Sequence, residues 1–94
     1  MSDQNTKKTR PIVVGKKPTA NYALAVASRL GEGETLITLR ARGALAGKAL
    51  DTANKAVNMG LSVGRGDAHW GQEAGPKGEP VSFLEVTLFA LSGA

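Results

Sequence analysis

The stretch Ile12-Val13-Val14-Gly15-Lys16-Lys17-Pro18-Thr19 decides how this chain is read. Three β-branched residues in succession favour a strand. The glycine that follows permits a sharp turn, and a proline is well placed near a helix start, where its missing N–H costs nothing. Behind it, Tyr22, Ala25, Val26 and Arg29 fall on one helical stripe, and Ala23, Val26, Ala27 and Leu30 on the adjoining one. Apolar residues at that spacing predict an amphipathic helix over about Thr19 to Leu30, with Thr19 as its N-cap and Gly31 and Gly33 at its end. The opening is therefore strand, doubly basic turn, helix. The first N–H groups of such a helix carry partial positive charge. With Lys16 and Lys17 beside them, the turn is a candidate phosphate site.

Beyond this unit, Glu34 to Arg42 alternates as a second strand. Side chains alternate across a sheet, so Arg40 and Arg42 share one face. Gly43 breaks the strand, and Ala44 to Asn58 reads as a second helix. Its apolar stripe is Ala46, Ala49, Leu50, Ala53 and Val57; its polar face is Lys48, Asp51, Thr52 and Lys55. Leu61 to Glu73 carries Gly64, Gly66 and Gly71 and alternates poorly, which predicts a twisted or bulged strand. Ala74 to Pro80 is turn-forming, and Val81 to Leu91 is the clearest strand of the chain. Leu84, Val86, Leu88 and Ala90 line one of its faces; Phe83, Glu85, Thr87, Phe89 and Leu91 line the other. A strand apolar on both faces belongs in the middle of a sheet or beneath a partner subunit. The expected fold is an α/β sandwich of order β-α-β-α-β-β, with two helices packed on a four-stranded mixed sheet.

Ninety-four residues make one small domain, read as residues 11–94, preceded by a flexible basic arm over residues 1–10. A core of this size is modest, so dimerisation is a natural way to bury more. The net charge is +4, which suits an anionic partner. Aromatic residues make up 4% of the chain, too few for a platform of stacking rings, and Trp70 is read as packing rather than stacking. The lack of cysteine excludes disulfides and thiolate chemistry. No apolar run approaches the roughly 20 residues of a membrane span. His69 is the only histidine, so no metal, cofactor or catalytic residue is assigned, and a binding protein is favoured over an enzyme. The Lys turn also lacks the glycine pair and Lys-Ser/Thr ending of a nucleotide-binding loop.

Several of these residues resemble one family. Ile12-Val13-Val14-Gly15-Lys16-Lys17-Pro18 followed by Asn21-Tyr22 is similar to the opening of the Alba family of archaeal chromatin proteins. Arg40-Ala41-Arg42-Gly43 followed by Gly47-Lys48-Ala49-Leu50-Asp51 resembles its second signature, and Val81-Ser82 with Glu85-Val86 resembles its last strand. The likeness spans about Pro11 to Leu91. It implies a homodimer, with further dimer–dimer assembly on DNA, that binds double-stranded DNA and RNA without regard to sequence. Chromosome coating or compaction in the cytoplasm is the implied role; the alternative is an RNA-binding subunit of a ribonucleoprotein particle. The resemblance puts Lys16, Lys17, Arg40 and Arg42 at the nucleic-acid surface. It makes Lys16 or Lys17 a candidate for acetylation, and it runs the last hairpin, whose tip here offers only Lys77, along the minor groove. Asn21 and Lys48 complete the set of candidate contacts.

Overall fold

A computed structural model describes residues 10–91 of the chain. The arm expected over residues 1–10 thus lies outside the described residues, apart from Arg10, as do the last three residues of the expected domain. The described elements are β1 (Ile12–Val13), α1 (Thr19–Gly31), β2 (Leu36–Arg42), a 3-10 turn (Gly43–Leu45), α2 (Ala46–Asn58), β3 (Val63–Ala74) and β4 (Pro80–Ala90). The four strands form one sheet in the order β1-β2-β4-β3. β1 and β2 are parallel, with α1 as their crossover, while β4 runs antiparallel to both neighbours. The fold is the β-α-β-α-β-β sandwich that the periodicities predict, and β4 takes the central place required by its two apolar faces.

One face of the sheet packs against both helices. Ile37, Leu39 and Ala41 of β2, Leu84, Val86 and Leu88 of β4, and Val63 of β3 are buried there, with Ile12 and Val14 from the first strand segment. Ala23 and Val26 of α1 and Ala46, Ala49, Ala53 and Ala56 of α2 meet them. Small residues let the helix backbones lie close to a layer of branched side chains, which is how a chain poor in aromatics still fills its interior. On the opposite face, Leu36, Thr38, Arg40 and Arg42 stand in register with Phe89, Thr87, Glu85 and Phe83. No helix among the described residues covers this side, which we term the open face.

The structure corrects several details. Thr19 is the first residue of α1, not its cap; Pro18 takes the cap position in an extended conformation and accepts a hydrogen bond from the Asn21 N–H at 2.9 Å. α2 begins at Ala46, because residues 43–45 form a 3-10 turn first. Ala46, Ala49 and Ala53 are buried as the stripe predicts and Leu50 packs against the core, but Val57 is exposed, and Thr52 and Ala56 are buried in addition. Thr52 tolerates burial because its hydroxyl donates to the Lys48 carbonyl at 2.8 Å, so no polar group is left unpaired.

The glycines of β3 have a physical purpose. The ring of Phe83 lies across Gly71, where an added Cβ would stand 2.5 Å from its Cζ; Phe89 lies across Gly64 at 2.6 Å. A side chain at either position would displace a ring. The bulge expected in this strand is a register break between Arg65 and Ala68.

Candidate nucleic-acid interface

Parallel strands leave a sheet at the same edge. The Lys turn after β1 and the Gly43–Leu45 turn after β2 therefore sit side by side, and both helices start there. β4 enters at this same edge, with Phe83 opposite Arg42. Residues Gln72–Ala74 and Pro80–Ser82 pair only with each other, so β3 and β4 run on past β2 as a two-stranded arm. Lys77 is exposed at its tip, between Gly75 and the left-handed Gly78 (φ 81°). One end of the molecule thus gathers Lys16, Lys17, Arg42, Lys48 and Lys77. None of them makes an ion pair with another described residue.

Tyr22 sets the shape of the Lys turn. From the first turn of α1 its hydroxyl accepts hydrogen bonds from the Gly15 N–H (2.9 Å) and the Lys17 N–H (3.1 Å). Its ring lies 5.9 Å from the Lys48 ammonium, at cation–π range, which draws the first turn of α2 toward the same spot. Tyr22 thus packs and bonds locally, as the sequence reading favours. The consequence is that two backbone donors of the turn are already occupied. An anion at this site meets the exposed lysine side chains rather than a backbone cradle. Asn21 is exposed next to the turn.

Arg40 and Arg42 share the open face, yet their surroundings differ. Arg42 is exposed at the strand end. Arg40 is half-buried and held by Glu73 at 2.5 Å and Glu85 at 3.3 Å, and its guanidinium lies 3.8 Å over the Phe83 ring. His69 adds an imidazole nitrogen 3.2 Å from the second oxygen of Glu85. Arg40 is therefore a fixed member of a charge network, whereas Arg42 has no carboxylate partner among the described residues. Sequence reasoning named both arginines but missed Glu73, Glu85 and His69. The signal for Glu85 lay in the alternation of β4, once that strand is set beside β2.

Trp70 corrects a further expectation. It does not pack in the interior but is 59% exposed on β3. Among the described residues, no group of three or more His, Asp or Glu side chains is arranged to hold a metal ion, and no helix is long and apolar enough to cross a membrane.

No protein-family model matches the chain. Individual proteins do. The chain is 32% identical over 81 residues to the DNA/RNA-binding protein Alba of Methanocella arvoryzae, covering 83% of this chain and 84% of that protein. It is 48% identical over 42 residues to the DNA/RNA-binding protein Alba of Pyrobaculum islandicum, 45% of this chain and 46% of that one. Among solved structures, Alba from Thermoplasma volcanium superposes with a TM-score of 0.72 at 33% identity, over 85% of this chain and 99% of that one. ALBA1 from Trypanosoma brucei shares the fold, with a TM-score of 0.75 at 17% identity over 90% of this chain and 75% of that one.

Proposed function

This chain belongs to the Alba family, and from that premise we propose that it binds nucleic acid, both duplex DNA and RNA, through phosphates and without regard to sequence. The observation that carries the reading is the gathering of Lys16, Lys17, Arg42, Lys48 and Lys77 at one end of the fold. Cations with no carboxylate partner among the described residues are what a polyanion engages. No described helix is presented there as a base reader: α1 and α2 pack on the sheet and direct their starts toward that end. Arg40 supports the surface from behind by orienting Glu73 and Phe83, and Asn21 is a polar neighbour of the Lys turn. The acting unit is a homodimer, which sets two such ends on one assembly, and its role is coating or compaction of the chromosome rather than catalysis.

The test is a salt titration on duplex DNA of fixed length. Log affinity should fall linearly with log salt, by about 0.9 for each phosphate neutralised, and scrambling the sequence should leave the curve in place. A preference of more than about 4 kcal/mol for one short site would mean sequence-specific recognition and overturn the proposal. Duplex RNA and a structured RNA, run in parallel, separate a general coat from a ribonucleoprotein subunit. The latter would favour the structured RNA strongly.

A further inference from the structure

Trp70 is the only tryptophan in the chain, and it is the most exposed of the four Phe, Tyr and Trp rings. Phe83 lies between Gly71 and the Arg40 guanidinium, Phe89 lies across Gly64, and Tyr22 holds the Lys turn. Trp70 stands opposite Leu84 in the β3–β4 register, hence on the helix side of the sheet. It is therefore separated by the sheet from Val13, Leu36, Phe89 and Leu91, and it belongs to no apolar patch with them. The helix layer leaves most of it open to solvent. α2 is fastened to β3 farther back, where Arg65 donates to the Asn54 side-chain oxygen at 3.1 Å. Gln72 and Ser82 form the next cross-strand pair on the same side, and with Trp70 and Gly71 they line a shallow hollow of about 390 Å³ at the base of the two-stranded arm.

An exposed indole beside a side-chain amide and a hydroxyl matches one kind of ligand well. A nucleobase has a flat face that stacks on an aromatic ring and an edge that hydrogen-bonds to Gln and Ser groups. In a continuous duplex both faces of every base are covered by its neighbours, so only an unpaired base has a face to offer. We propose that Trp70 is a stacking platform for an unpaired base of single-stranded or looped nucleic acid, with Gln72 and Ser82 meeting the base edge. This gives the chain a single-strand mode distinct from its duplex mode. It rests on the proposed function for its phosphate contacts, which the basic end of the molecule supplies to the flanking backbone.

Because Trp70 is the only tryptophan, its fluorescence reports on the site directly. A 12-residue oligo(dT) strand should quench it. A hairpin-capped DNA duplex, whose binding is followed through its own label, should bind and leave the emission nearly unchanged. Trp70→Ala should lower affinity for the single strand by about 5- to 150-fold, the range that one stacked base supplies, while Trp70→Phe keeps most of it. Equal quenching by the capped duplex, equal loss on both ligands, or no loss on the single strand would each overturn the platform. A protein that binds the duplex but is not quenched by the strand overturns this inference alone. A protein that binds neither overturns the proposed function and this inference with it.

Discussion

Lys16 and Lys17 contribute charge to the basic end, and Tyr22 contributes shape; variants separate the two. Replacing both lysines by alanine should weaken duplex binding and reduce the salt slope by about 1.8, two phosphate contacts at 0.9 each. Stability should change by less than about 0.5 kcal/mol, since both side chains are exposed. An unchanged slope would remove the turn from the interface. Acetylation of either lysine acts in the same direction by removing one charge. Tyr22→Phe is the complementary variant. It deletes the acceptor of the Gly15 and Lys17 N–H groups and should cost about 1 kcal/mol in a thermal melt, because the exposed Lys17 donor can return to water. Its affinity should drop with the salt slope retained, since every charge is still present. At this scale the sequence was informative where partners are close along the chain: Tyr22 lies 5 and 7 residues from the donors it holds. Arg40 was legible only as a basic side chain, because its carboxylate partners lie 33 and 45 residues away and depend on strand pairing.

The same contrast holds for whole elements. Both helices and the central β4 followed from periodicity, because each buries a face at a fixed spacing. β3 resisted that reading because its pattern answers to β4 rather than to the core. Gly64 and Gly71 look like breakers in a linear sequence, yet they are the seats of Phe89 and Phe83. Gly71→Ala should therefore destabilise the fold by about 1–3 kcal/mol through overpacking, measured by urea denaturation. Most of that cost should vanish in a Phe83→Ala background, since the ring that the new methyl group strikes is gone. Equal costs in both backgrounds would place the strain in the backbone of β3 instead. In α2, the misplacement of Thr52 has a similarly local cause. Thr52 was set on the polar side by its hydroxyl, but that hydroxyl is satisfied within the helix, and the methyl group is free to face the core.

For the whole molecule, the open face of the sheet poses the remaining question. Val13 is 68% exposed, Leu36 53%, Phe89 39% and Leu91 50%; register puts the first three on the side that no described helix covers, and Leu91 joins Phe89 there over Gly64. Soluble monomers rarely expose a large contiguous apolar surface. Both described helices lie on the other side, and a second copy is the occupant that the proposed homodimer supplies for this one. A two-fold arrangement would set the same surface against itself. The charged centre of the face suits such contact: Arg40 is already paired with Glu73 and Glu85 before the surfaces meet, so its burial does not strand that charge, while Arg42 stands at the strand end, exposed. Pairing also joins two basic ends, and binding of the second to the same duplex becomes intramolecular, which raises affinity by avidity. Sedimentation at low micromolar concentration in moderate salt should report about twice the 9.7 kDa chain mass. Leu36→Asp with Phe89→Asp should shift the species to the single-chain mass while circular dichroism stays native. The salt slope on a long duplex should then fall to about half, because each bound unit carries one basic end in place of two. A wild-type chain that sediments as a clean monomer would refute the assembly and leave the open face to a partner of different sequence.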